Sequence, residues 1–234
     1  MFVESFAEGR GVTADAAAGE PGGAATVYRR LMAAAVVTED GDAAFDLHVL
    51  ASLLAVAIEE AERGDGGCGE ALGLAGAVVG DLLAVRFPTF ETRGLDLGGA
   101  TPTAEIEEEM LRDLLTGHLV QPGEGGAMLA AVLPAAIARR ALRPDHLWQD
   151  LGLCDRGELN RLLARHFPAL HAGNGANMRW KKYFYRKLCE AEGFSLCSAP
   201  SCAACADFAS CFGAEDGESR MATARRAIEQ AGGQ

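Results

Sequence analysis

Four cysteines near the end of the chain form its most compact group of potential metal ligands. They follow the spacing Cys-x4-Cys-x2-Cys-x5-Cys and fall within fifteen residues, at Cys197, Cys202, Cys205 and Cys211. Thiolate sulfur is a soft ligand that selects iron–sulfur clusters, zinc and copper(I). The spacing therefore predicts one inorganic site held by four thiolates.

The spacing also separates the possible occupants of such a site. Structural zinc sites usually place two close pairs of ligands on either side of a longer insert, and this motif has no insert. A compact loop with steps of five, three and six residues suits a cuboidal iron–sulfur cluster, because each cysteine must reach a different corner. The motif favours an iron–sulfur cluster and leaves zinc and disulfide bonds as alternatives.

Composition limits the compartment and the partners. The net charge is -12 and the pI is near 4.9, so the molecule as a whole repels nucleic acid and anionic membranes. The first ten residues show no export signal, and charges or glycines interrupt every long apolar run. We expect a soluble, cytoplasmic protein that binds neither nucleic acid nor membrane.

Helical periodicity dominates the chain and no segment shows β alternation. The predicted fold is all-α, a helical domain with a C-terminal irregular cysteine-rich loop that binds the cluster. Composition and periodicity divide the chain into a disordered tail, the helical domain, a basic helix with the cysteine motif, and a C-terminal helix or tail. The predicted segments are residues 1–25, 26–176, 177–215 and 216–234.

Local signals predict where individual helices begin and end. Four glycines in six residues place Cys68 in a loop, and a helix is expected from Glu70 to Arg86. Pro134 predicts a kink or two short helices within residues 127–142. Asp155 with Glu158 resembles a capping box, and Asn177 is expected to cap the basic helix.

A further helix is expected to begin near Pro102. Its buried stripe is predicted at Ile106, Met110, Leu114 and His118, with Leu111 and Leu115 beside it. The charged residues Glu108, Glu109 and Arg112 are expected to point elsewhere. Grouped acids from Glu107 to Glu109 fit a solvated helix face better than an active site.

Nitrogen donors could add to the four thiolates. His146 is the preferred extra metal ligand, because Asp145 or Asp150 could orient its ring. His171 is a further possible ligand. On their apolar stripes His118 and His166 fit satisfied core residues better than ligands, and the same interpretation applies to His48. The remaining cysteines, Cys68, Cys154 and Cys189, are predicted to be packing residues rather than ligands.

A basic cluster precedes the cysteine motif. It contains Arg179, Lys181, Lys182, Arg186 and Lys187, with no acidic residue between positions 178 and 189. Such a cluster is either a solvated helix face or a surface that attracts an oxyanion or an acidic partner. Lys181, Lys182 and Arg186 are the candidates for contact with such an oxyanion or partner.

The C-terminal part of the chain resembles a known family. Residues 178–213, MRWKKYFYRKLCEAEGFSLCSAPSCAACADFASCFG, are similar to the C-terminal signature of the NifQ family of nitrogen-fixation proteins. The runs RPDHLWQDLGL and LLARHFPAL, at residues 143–153 and 162–170, share this resemblance. The four family cysteines fall on the four cysteines of the motif.

The resemblance implies a cytoplasmic carrier of an iron–sulfur cluster that contains molybdenum. Such a carrier donates molybdenum for assembly of the nitrogenase iron–molybdenum cofactor, and its implied recipients are the cofactor scaffold complex and the nitrogenase iron protein. Two alternatives stay open, an iron–sulfur electron carrier or redox sensor and a zinc-stabilised interaction domain. No catalytic motif is recognisable, so we expect a carrier rather than an enzyme.

Overall fold

The computed structural model describes residues 23–36, 40–120 and 127–191. Within these ranges every regular element is an α-helix, which confirms the all-α prediction for this part of the chain. The helices are α1 (Ala24–Ala33), α2 (Gly41–Arg63), α3 (Cys68–Leu72), α4 (Gly76–Arg86), α5 (Ile106–His118), α6 (Ala127–Ala141), α7 (Leu147–Asp150), α8 (Arg156–His166), α9 (Pro168–Gly173) and α10 (Trp180–Ala191). The predicted cysteine-rich loop, residues 216–234 and most of the predicted tail at 1–25 lie outside the described residues.

Helix α2 forms the centre of the core. The Asp40 side chain caps it by accepting a hydrogen bond from the Asp42 N–H, and Gly64 ends it in the left-handed conformation, with φ of 84°. By length and composition α2 could cross a membrane, but 78% of its most apolar window is buried inside the protein. Its apolar character is therefore that of a core helix.

The glycine-rich segment after α2 leads into a short helix at Cys68, where a loop was predicted. Cys68 is the first residue of α3 and is fully buried. Its backbone N–H donates a hydrogen bond to the Asp96 carbonyl at 2.9 Å, which holds the helix against the 95–99 loop. Gly73, with φ of 67°, separates α3 from α4. The prediction of a single helix from Glu70 to Arg86 is therefore wrong, because two helices, α3 and α4, cover this range. The predicted end at Arg86 is confirmed.

The buried face of α5 differs from the predicted stripe. Ile106 is 77% exposed and Glu108 is buried, contrary to the prediction, whereas Leu111 and Leu115 are buried as expected. The Glu108 carboxylate lies between two guanidinium groups, at 2.9 Å from Arg112 and 3.1 Å from Arg139 of α6. A paired carboxylate can be buried where an isolated one cannot, and this pairing explains how Glu108 lies on the buried face of α5.

Helix α6 is continuous through the buried Pro134, so the alternative of two short helices is wrong. The predicted cap of α8 is confirmed, since the Asp155 side chain accepts from the Glu158 N–H at 2.9 Å. Asn177 does not cap α10. It lies three residues before the helix, with φ of 56°, in the turn that precedes it.

One hydrophobic core joins the first helix to the last. It extends from Ala25 in α1 to Phe184 in α10. Met178, Trp180 and Tyr183 belong to the same core, so α10 packs on the body of the helical domain. The predicted domain boundary at residue 177 stays a prediction.

Candidate metal centre and its supporting helix

The position of α10 limits where the cysteine motif can begin. The four cysteines lie outside the described residues, and Ala191, the last residue of α10, precedes Cys197 by six positions. Six extended residues span at most about 22 Å. The first predicted ligand must therefore lie within about 22 Å of the end of α10.

Aromatic packing fixes the start of α10. The Trp180 indole N–H donates to the Asn160 side chain of α8 at 2.7 Å. The same indole stacks on His171 of α9, with ring centroids 5.9 Å apart and an angle of 24° between the ring planes. Phe184, one turn later, is fully buried. Trp180 and Phe184 therefore lie on the buried face of α10, and Leu188 is partly buried against the core.

Lys181 connects α10 to the segment that carries His146. Its ammonium group donates to the Asp150 carboxylate and to the Arg143 backbone carbonyl. Burial raises the pKa of Asp150 above its usual value, although Lys181 and Arg140 act in the opposite direction. Arg140 also donates to the Asp150 carbonyl at 2.6 Å, so this segment is held from two sides.

His146 is half-buried at the start of α7, where its backbone N–H donates to the Gln149 side chain at 3.1 Å. The Asp150 carboxylate, one of the two groups expected to orient the His146 ring, is bonded to Lys181. The role of His146 as a metal ligand stays a prediction.

Local ion pairs neutralise much of the basic cluster. Lys181 pairs with Asp150, and both Arg186 and Lys187 pair with Glu190 on the same helix. Lys182 is exposed. The positive field at this surface is therefore weaker than the run of basic residues in the sequence indicates.

The middle of α10 contacts α5 through a polar pair that the sequence did not predict. The Tyr185 hydroxyl donates a hydrogen bond to the Glu107 carboxylate in the first turn of α5. The two residues are 78 positions apart, and no local pattern indicates their contact.

Two of the histidines have the structural roles expected for them. His166 is fully buried and bonds Asp46 at 2.9 Å, and Arg165 holds the same carboxylate through two nitrogens. Burial alone raises the pKa of Asp46, but the hydrogen bonds from His166 and Arg165 lower it below its usual value. His48 lies between the Tyr28 hydroxyl and the Glu158 carboxylate, at 2.9 and 3.2 Å.

His118 is half-buried rather than on a buried stripe. Its Nδ1 bonds the Leu114 carbonyl at 2.8 Å. A carbonyl oxygen only accepts hydrogen bonds, so Nδ1 carries the proton in this bond.

The three cysteines outside the motif differ in exposure. Cys68 is fully buried, and this burial raises its pKa to about 11, which keeps the thiol protonated. Cys154 and Cys189 are half-buried. Within the described residues no three His, Cys, Asp or Glu side chains are arranged to hold a metal ion, so the candidate centre depends on the four cysteines of the motif.

Comparison with known proteins identifies the family. The sequence model of the NifQ family matches residues 49–213, a range that includes α10 and all four cysteines of the motif. The chain belongs to the NifQ family. A NifQ homolog from Sinorhizobium fredii is 51% identical over 75% of each chain. NifQ from Rhodobacter capsulatus is 39% identical over 70% of this chain and 87% of its own, and NifQ from Azotobacter vinelandii is 36% identical over 62% and 78%.

The resemblance found at residues 143–213 therefore extends through most of the helical domain. Proteins of the NifQ family take part in nitrogen fixation. No solved structure matches the chain at a significant level.

Proposed function

We propose that this NifQ-family protein is a molybdenum carrier for nitrogenase. Its cargo is an iron–sulfur cluster that contains molybdenum, and it donates the molybdenum for assembly of the iron–molybdenum cofactor. The observation that carries the proposal is the four-cysteine motif at Cys197–Cys211, which lies inside the family match at residues 49–213.

The donor set suits this cargo. Four thiolates bind iron well, and molybdenum at one corner of a cuboidal cluster held this way can leave only if the protein ligand at that corner can be displaced. Helix α10 supplies a fixed starting point for the ligand loop, and exposed Lys182 is a side chain that can attract the molybdate oxyanion. We further propose His146 as an additional ligand of the molybdenum.

The proposal includes a cytoplasmic location and a role as a carrier rather than an enzyme. The molybdenum source is molybdate or a molybdenum donor. The recipients are the nitrogenase cofactor scaffold complex and the nitrogenase iron protein. Neither nucleic acid nor a membrane is a partner, in keeping with the net charge of -12.

Metal analysis and absorption spectra of anaerobically purified protein test the proposal. The protein should be produced under molybdenum-replete, nitrogen-fixing conditions, and the wild type compared with Cys205→Ala. We expect a brown wild type containing iron, sulfide and molybdenum, and at least about a tenfold loss of all three in the variant. Cys154→Ala, a half-buried cysteine outside the motif, is the matched control and should keep its metals.

Other results assign the protein to a different class. Iron and sulfide without molybdenum would favour an iron–sulfur electron carrier or redox sensor. Zinc alone, in a colourless protein, would indicate a zinc-stabilised interaction domain and exclude both cluster hypotheses.

A further inference from the structure

Glu108 and its two arginine partners form a charge cluster that the proposed function does not use. Glu108 is fully buried, and its carboxylate faces the guanidinium groups of Arg112 in α5 and Arg139 in α6. Among the described residues, no other carboxylate pairs with either arginine. The cluster therefore holds two positive charges against one negative charge, and one positive charge is left uncompensated.

The hydrogen bonding of this cluster is also incomplete. Arg112 Nη2 donates to Glu108 at 2.9 Å and makes a longer bond of 3.4 Å to the Gly73 carbonyl. Arg139 Nε lies 3.1 Å from the other carboxylate oxygen but not in hydrogen-bond geometry. In the part of the chain that the structure describes, the buried Nε of Arg112 and the buried Nε and Nη2 of Arg139 have no acceptor. Buried donors are normally satisfied, so these nitrogens require one.

Two guanidinium groups beside one carboxylate provide the donors of an oxyanion site. A guanidinium presents its N–H groups as a planar fork that matches the oxygens of an anion such as phosphate. The side chains of Arg112 and Arg139 are 28% and 23% exposed, so an ion from solvent can approach them. Gly73 lies beside the same groups, because a Cβ there would be 3.1 Å from both Arg112 Nη2 and Glu108 Oε1. The glycine thus leaves room next to the charges.

We propose that Arg112 and Arg139 bind a small tetrahedral oxyanion between α5 and α6. The anion accepts hydrogen bonds from both guanidinium groups and compensates the charge that Glu108 alone does not balance. Glu108 holds the two arginine side chains near each other and does not touch the anion. Molybdate, sulfate and phosphate share the required chemistry. The choice of molybdate as the natural ligand rests on the proposed function, whereas the anion site itself does not.

Isothermal titration of the full-length protein with sodium molybdate, sulfate or phosphate tests the site, with sodium chloride holding the ionic strength constant. We expect saturable binding of one oxyanion per chain. Arg139→Gln should weaken this binding at least about tenfold, as expected from losing a hydrogen bond between charged groups. Arg63→Gln is the matched control, because Arg63 pairs with a single carboxylate, Glu59, on the same helix. The control should bind the oxyanion as the wild type does.

A second variant keeps the test valid if Arg139→Gln fails to fold. Arg139→Lys retains a positive charge near Glu108 but replaces the planar fork by a single ammonium group. It should keep its helical circular dichroism and its cooperative unfolding, yet bind the oxyanion about two- to tenfold more weakly than the wild type.

The outcomes separate this site from the cysteine motif. Binding that falls in the Arg139 variants and persists when all four motif cysteines are replaced by serine supports the inference. Heat that does not saturate, or that is equal in the wild type and Arg139→Lys, indicates an adventitious ion only and overturns it. Binding that disappears with the four cysteines also overturns it. Tighter binding of sulfate or phosphate than of molybdate overturns the choice of molybdate alone. Metal analysis of the wild type decides the proposed function independently of each of these results.

Discussion

At the scale of single residues, Lys181 and Asp150 form an ion pair that can be tested against a neighbouring lysine. Asp150 is buried, and Lys181 is its partner on α10. We expect Lys181→Met to destabilise the protein by about 2 to 4 kcal/mol, because it leaves a buried carboxylate without its cation. Urea unfolding at neutral pH measures this loss. Lys182→Met, at the exposed adjacent position, should stay within about 0.5 kcal/mol of the wild type.

The same variant has a predictable pH dependence. The folded-state pKa of Asp150 is already raised by burial, and removing Lys181 raises it further. A carboxyl group with a raised folded-state pKa lowers stability above that pKa. This loss is regained as the pH falls toward the unfolded value of about 3.9. The difference between wild type and Lys181→Met should therefore shrink on acidification from pH 7 to pH 4, and a difference that is constant over this range would contradict the assignment.

The residues that sequence patterns misplace are those whose partners are distant. Glu108 was expected on a solvated face because charged residues are normally exposed. It is buried because Arg139, on the following helix, completes its ion pair with Arg112. Glu107 and Tyr185 were missed for the same reason, since periodicity within one helix carries no information about a partner 78 positions away.

At the scale of secondary structure, the close packing of α4 on the 97–99 loop depends on Gly76. A Cβ at this position would lie 2.2 Å from the Gly98 carbonyl oxygen and 2.6 Å from that of Leu97. These are backbone atoms that cannot rotate away. We expect Gly76→Ala to cost about 1 to 3 kcal/mol or more, as other overpacked sites do, measured as the free energy of unfolding in urea.

Gly80, four residues later in the same helix, provides the control. A Cβ there would meet only the Leu97 side chain at 3.5 Å, an ordinary contact. Alanine has the higher helix propensity, so Gly80→Ala should stabilise the protein by up to about 1 kcal/mol. If both substitutions change the free energy of unfolding in the same direction, the backbone contact at Gly76 does not limit the packing.

Sequence signals for the ends of helices predicted the structure correctly where the interacting residues are close along the chain. They failed where contacts with a distant segment determine whether a helix forms. Asp155 and the N–H of Glu158 are three residues apart, and their predicted bond is confirmed. The glycine run at 64–69 correctly predicts the end of α2, but it gives no indication of α3. That helix is held by backbone hydrogen bonds from the N–H groups of Cys68 and Gly69 to the carbonyls of Asp96 and Leu97. Such bonds to a loop nearly thirty residues away leave no periodic pattern in the sequence.

At the scale of the whole molecule, the sequence predicted the helical class and the family, because both depend on patterns within short segments. The four cysteines were found for the same reason. The support of the candidate site could not be predicted: His171 beneath Trp180, Asp150 against Lys181 and Glu107 against Tyr185 are all contacts between separate helices.

The extent of the core leads to a prediction about the metal-free protein. In the part of the chain that the structure describes, a continuous set of buried apolar residues extends from Ala25 to Phe184, without any contribution from the cysteine motif. A variant with serine at Cys197, Cys202, Cys205 and Cys211 should therefore keep its helical circular dichroism and unfold in one cooperative transition. Its melting temperature should lie within about 5 °C of that of the metal-loaded protein, which corresponds to about 1 to 2 kcal/mol for a chain of this size.

A small zinc-stabilised domain behaves differently, because its metal supplies the folding free energy. If helical signal and metal were lost together in the wild type on adding a chelator, the core would depend on the metal and a structural role for the site would replace the carrier role.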